Sequence, residues 1–203
     1  MPNFTDLTGL AGVALAATTT VLLLPGMVNI ARVRLGLLLA GVFVLLLVPA
    51  GTLPLAAYVR GMTGDLSITT LVLLCCAMLR PQCGCVAVQA KHRLALLILI
   101  ALASLALYPM ALGAGAYDPY RLGYGEPFFV SGLMLLALAA WLCRLPLVAL
   151  CIALATLAWS VGWYESDNLW DYLIDPFVSV YALATIIIRG VKALLKLQRD
   201  GSC

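Results

Sequence analysis

Seven apolar stretches fill most of this 203-residue chain, and no Asp, Glu, Lys, Arg or His falls near the middle of any of them. A helix needs roughly 17 to 25 predominantly apolar residues to cross the hydrocarbon layer of a bilayer. The stretches lie at approximately 7–28, 35–58, 62–79, 94–112, 127–143, 145–163 and 173–192. The third is the weakest, because Leu66 to Leu79 needs Gly61 to Asp65 to fill it out. Only Cys143-Arg144-Leu145-Pro146 separates the fifth from the sixth. Pro146 lacks an amide donor and would kink a continuous helix, so this segment reads as a tight hairpin. A continuous helix there, giving six crossings, is the rival reading. The expected fold is all-α: a polytopic integral membrane protein, a bundle of about seven transmembrane helices forming one domain over residues 1–203. The connecting segments are too short to hold a soluble domain.

Composition agrees. Charged residues make up 10% of the chain and hydrophobic ones 64%, against about 25% charged in a typical soluble domain, and the mean hydropathy is +1.08. The excess charge of +3 is spread over loops and one tail, whereas nucleic-acid binding needs Lys and Arg clustered on a face. No nucleic-acid partner is expected.

Loop charges orient the chain. Arg32, Arg34, Arg80, Lys91, Arg93, Arg144, Arg189, Lys192, Lys196 and Arg199 all fall on one side if the stretches alternate. That side is cytoplasmic by the positive-inside rule. The other side holds Asp6, Asp65, Asp118, Glu126, Glu165, Asp167, Asp171 and Asp175, with Arg60 and Arg121 as its basic residues. The N-terminus is therefore expected outside and the C-terminus in the cytoplasm. A secretory signal opens on positive charge, but Met1 to Leu7 contains Asp6 and no Lys or Arg, so the first stretch reads as a retained crossing. All seven cysteines map to the cytoplasmic loops or the inner halves of the stretches, where thiols stay reduced. The expected location is a cell membrane, with a bacterial inner membrane the favoured setting and the lipid bilayer the first partner.

Four outer acids sit where helices start: Asp6, Asp65, Glu126 before Pro127, and Asp175 before Pro176. A helix N-terminus favours carboxylates, Asp is a preferred N-cap, and Pro suits the next position. Asp118, Glu165, Asp167 and Asp171 remain without that explanation. They lie in two aromatic-rich segments, Tyr117-Asp118-Pro119-Tyr120-Arg121 and Trp163 to Tyr172. The candidate outer-face polar site is accordingly Arg60, Asp118, Arg121, Glu165, Asp167 and Asp171, with Tyr117, Tyr120 and Trp170. Arg is suited to phosphate because its planar fork bonds two oxygens at once. Ordinary explanations stand beside this one: salt bridges of Arg60 with Asp65 or Arg121 with Asp118, and aromatics resting at the membrane interface.

On the inner side, Cys83-Gly84-Cys85 precedes His92, the lone histidine. Zinc sites prefer Cys-x₂₋₄-Cys spacing and four ligands, so free thiols are the simpler reading. No metal site or cofactor is expected. Gly-x-Ser-x-Gly, His-Glu-x-x-His and phosphate-binding glycine loops are absent, which leaves catalysis without a template. The absence of ionisable groups inside the stretches disfavours a proton-coupled transporter. The expected role is an accessory or envelope-assembly component working with a partner protein. The alternatives are an enzyme or binder for a lipid-linked or glycolipid substrate at the outer leaflet, and a facilitator or channel for a neutral solute.

Overall fold

The computed structural model describes residues 4–22, 32–51, 53–79 and 89–200. Cys83 and Cys85 fall outside these residues. Among those described, the protein is all-α, with nine α-helices and one two-stranded ladder. The helices are α1 (Phe4–Leu22), α2 (Arg32–Leu47), α3 (Leu55–Thr63), α4 (Ile68–Leu79), α5 (Ala90–Pro109), α6 (Pro127–Leu142), α7 (Pro146–Ser160), α8 (Leu169–Leu173) and α9 (Pro176–Asp200). The ladder pairs β1 (Pro49–Ala50) with β2 (Leu53–Pro54) in antiparallel register.

Helix α7 occupies the centre. It packs against α4, α5, α6 and α8, burying Val148, Cys151, Ile152 and Ala155. Helix α1 pairs with α2 and α4, and α5 pairs with α9. Polar side chains within these helices are satisfied locally. The hydroxyls of Thr18, Thr19 and Thr20 donate to the carbonyls of Ala14, Leu15 and Ala16 at 2.7, 2.8 and 2.9 Å. Across helices, Ser104 donates to Ser179 Oγ at 2.8 Å. Such bonds let small polar residues sit among apolar ones.

The hairpin between the fifth and sixth apolar stretches forms as expected. Helix α6 closes with the Leu145 amide donating to Ala140 O and the Arg144 amide to Trp141 O, and Arg144 takes the left-handed position (φ 56°) that usually belongs to glycine. Pro146 then opens α7. Gly162 (φ 63°) closes α7 with the same bonding pattern, Trp163 to Ala158 and itself to Trp159.

Three stretches differ from the sequence expectation. The run 35–58 is not one helix: α2 stops at Leu47, the Pro49–Pro54 ladder follows, and α3 begins at Leu55. Pro49 and Pro54, with Gly51 at φ 90°, keep the run from continuing as one helix, because neither proline can donate to a helical carbonyl. The run 62–79 divides between the last turn of α3 and α4, which starts only at Ile68. The run 173–192 begins with the close of a separate short helix, α8.

These breaks shorten the helices. Two are long and apolar enough to cross a membrane: Ala90–Ala114, which is α5 with the π-helical turn Met110–Ala114 that follows it, and Pro176–Gln198 of α9, whose most apolar 18 residues have mean hydropathies of 2.4 and 1.7. The others fall short in apolar helical length: α1 is apolar only over Thr8–Val21, and α6, at 16 residues, rises only about 24 Å. Seven full-length crossing helices, expected from apolar length, are not what the described residues contain.

Helix α3 has an inverted polarity. Leu55, Tyr58, Val59 and Met62, spaced along one face, are exposed, Met62 to 90%. The Arg60 side chain is turned inward and is only 15% exposed.

Candidate functional site

The N-terminal ends of α1, α4, α6 and α9 gather at one end of the structure with the C-terminal ends of α5 and α7, bringing two polar clusters together there. The first is centred on Arg60. Its guanidinium grips Asp65 with two parallel bonds, Nε to Oδ1 at 2.6 Å and Nη2 to Oδ2 at 3.0 Å. Nη1 donates to Asp6 Oδ1 at 3.0 Å, and Nη2 reaches Glu165 Oε1 at 3.3 Å. One arginine thus ties α1, α3, the turn before α4 and the segment after α7. The bond to Asp65, together with the other carboxylates, holds the guanidinium more firmly protonated than usual. Gly9 of α1 makes room for it: a side chain there would overlap the Arg60 guanidinium and the Asp65 carboxylate.

The second cluster joins the two aromatic segments. Asp171 accepts hydrogen bonds from Tyr120 Oη at 2.9 and 3.0 Å and from the Ser166 hydroxyl. Asn168 is fully buried; its Oδ1 caps the amide of Trp170 at 2.9 Å and its Nδ2 donates to Tyr120 O at 2.9 Å. Trp170 Nε1 donates to Pro119 O at 3.0 Å, and its ring packs on Phe129. The 3₁₀ turn Pro119–Gly123 can lie this close because Gly123 has no Cβ, which would overlap Asn168. Burial, reinforced by the bond to Asp171, raises the Tyr120 phenol well above its ordinary range.

One segment links the two clusters. Between Trp163 and Tyr172, Trp163 O accepts from Thr8 at 2.7 Å, Glu165 meets Arg60, and Tyr164 Oη donates to Leu66 O at 2.7 Å. The Tyr172 hydroxyl accepts from the Tyr164 amide and bonds the Ser166 carbonyl, both at 3.0 Å. Burial raises the phenols of Tyr164 and Tyr172.

The helix-start carboxylates have three different fates. Glu126 caps α6 through the Phe129 amide at 3.0 Å. Asp175, 4% exposed, serves two helices at once: Oδ1 accepts from Val178 N in α9 at 2.8 Å, while Oδ2 accepts from Ser67 N at 2.8 Å and Thr70 Oγ1 at 2.5 Å. Asp65 was expected to cap α4. Ser67 does that, through the Thr70 amide at 3.2 Å, and Asp65 is given to Arg60.

Of the sequence-derived candidates, Arg60 and Glu165 meet in one cluster, and Tyr120, Asp171 and Trp170 in the other. Asp118 is used locally, accepting from the Tyr120 amide at 3.0 Å. Arg121, Asp167 and Tyr117 are exposed, and Arg121 makes no ion pair among the described residues. The carbonyl of Asp167, rather than its carboxylate, accepts from Trp159 Nε1 at 2.8 Å. Asp6, Asp65, Ser166, Asn168 and Gly123 belong to the clusters but were not among the candidates. Asn168 one residue before Leu169 carried an N-cap signal; Asp6 carried none for Arg60. No group of three His, Cys, Asp or Glu placed to hold a metal occurs among the described residues. Comparison with protein-family models, curated proteins and solved structures gave no match.

Proposed function

We propose that this is an integral membrane protein whose chain crosses the bilayer seven times, N-terminus outside and C-terminus in the cytoplasm, and that it acts as an accessory or envelope-assembly component for a membrane protein partner. One observation carries the reading: polarity runs inside out. Arg60, Asp65, Asp171 and Asp175 are turned inward and consumed by bonds that fix the fold, while Phe128, Leu135, Trp141, Leu142 and Met62 face outward. Water would reverse that preference, and a bilayer rewards it. Helix α3 then lies in the outer interface with its apolar face in the headgroup boundary. The shorter helices cross with local thinning of the bilayer and help from flanking residues.

An outer end whose carboxylates serve as caps and ion-pair partners suits a fixed platform better than a reactive centre. Arg60, matched by three carboxylates, has no surplus positive charge for a phosphate group, so the lipid-linked-substrate reading loses one of its two anchors. Purification through a C-terminal tag in mild detergent should recover a second membrane protein in stoichiometric amount. Recovery of this chain alone, from membranes of the native host, would overturn the partner reading. Release by alkaline carbonate washing would overturn the membrane reading itself.

A further inference from the structure

Beneath the Trp170 cluster lies an apolar crevice of about 280 Å³, walled by α5, α6 and α7. Leu99 and Ala103 line it from α5, Leu133 and Leu136 from α6, Cys151 from α7, and Trp170 roofs it. Helices α5 and α6 both pack on α7, and between them the crevice opens sideways past Leu102 and Leu136, which are exposed. We propose that it holds one acyl chain of an anionic phospholipid, with the lipid headgroup bound at Arg121.

Three observations select that occupant. The first is the lining, which offers one hydroxyl, that of Thr69. A buried water needs two to four polar partners, so the crevice does not fill with water or a polar solute. The second is the shape. The volume lies just below the usual range of ligand pockets, about 300–1,000 Å³, which suits a single flexible chain, and the opening is flanked by the exposed Leu102 of α5 and Leu136 of α6. The third is charge. Trp170 roofs the crevice and its Nε1 is bonded to Pro119 O; Arg121 lies two residues further along the same 3₁₀ turn, which also packs against α5. The nearby carboxylates already have partners: Asp118 holds the Tyr120 amide, and Asp171 holds Tyr120 and Ser166. Arg121 is the exposed cation of the turn that holds Trp170, without an ion pair among the described residues, and an arginine fork matches a lipid phosphate.

The proposal rests on the membrane reading, and carbonate fractionation tests that reading before any lipid is measured. The lipid is tested by native mass spectrometry of the full chain released from bilayers of mixed phosphatidylglycerol and phosphatidylcholine. Wild type should retain one phosphatidylglycerol. Ala103→Phe, which fills the crevice, should lose the retained lipid while keeping its thermal midpoint. Arg121→Gln should lower the preference for phosphatidylglycerol over phosphatidylcholine by about tenfold, the worth of one charge-assisted bond. Equal retention by wild type and folded Ala103→Phe would overturn the crevice assignment, as would wild type carrying detergent alone. Equal retention of both lipids by wild type would overturn the role of Arg121. Should Ala103→Phe fail to fold, chain-brominated phosphatidylglycerol decides the same point. Bromine in the crevice quenches Trp170, so wild type must lose more emission than Trp170→Phe; identical fractional quenching overturns the proposal.

Discussion

Replacing Asp175 with alanine is the sharpest test of how the polar end of the structure is held together. The carboxylate is 4% exposed and accepts three hydrogen bonds, from Val178 N, Ser67 N and Thr70 Oγ1. Losing an N-cap costs about 1 kcal/mol. Orphaning a buried amide costs a further 1–3 kcal/mol or so, and Ser67, itself fully buried, has no water to turn to. Thr70 can rotate its hydroxyl and adds little. Asp175→Ala should therefore lower stability by roughly 2–4 kcal/mol. Asp175→Asn is the informative control: its oxygen can keep the cap on Val178, but its amide group then faces the Ser67 N–H, donor against donor. It should fall between wild type and alanine. Reversible unfolding in mixed micelles, followed by far-ultraviolet circular dichroism, reads the differences. An alanine variant within about 0.5 kcal/mol of wild type, the range of an ordinary surface change, would refute the claim that one carboxylate anchors both α4 and α9.

Four further outcomes follow from the same geometry. Arg60→Ala should destabilise by about 2 kcal/mol, since it strands carboxylates in a partly buried setting. Glu165→Gln, at a side chain 64% exposed, should cost less than about 0.5 kcal/mol, and unfolding curves of the two variants compare them directly. Gly123→Ala should lower the thermal midpoint by several degrees, about 1–3 kcal/mol of overpacking, because Asn168 is buried and bonded on both sides and cannot withdraw. Tyr120, with its folded-state pKa raised by burial and by Asp171, contributes stability that is whole below the unfolded value of about 10. That contribution is lost as pH rises further, because the unfolded phenol ionises first. Thermal midpoints measured from pH 8 to 11 should fall more steeply for wild type than for Tyr120→Phe.

The all-α class, the hairpin at Pro146 and the caps at Glu126 and Asp175 were legible because each rests on local chemistry: an apolar run, a missing amide, a carboxylate before a helix. The breaks in the second and third stretches were only half legible. Pro49, Gly51 and Pro54 announced a disturbance, but whether proline bends or ends a helix depends on whether its neighbours find other partners, and here the ladder supplies them. The bond between Asp6 and Arg60 spans 54 positions, and nothing in the spacing of one sequence reports such a pairing. Asp65 illustrates the conflict well. It sits where a cap belongs, yet a bidentate arginine outbids a single amide, and Ser67 takes over the cap.

The segment from Trp163 to Tyr172 has a consequence for how the protein is made. Its bonds reach back 155 residues to Thr8, 105 to Arg60 and 98 to Leu66. On the ribosome, α1 to α4 are complete long before this segment exists, so until then the bonds of Arg60 to Asp65 and Asp6 must tie that region without it. Contacts of such sequence separation form late and slowly. The early helices therefore lack these three ties until the segment from Trp163 onward has been made. A chain truncated before Trp163 loses all three ties, to Thr8, Arg60 and Leu66, at once.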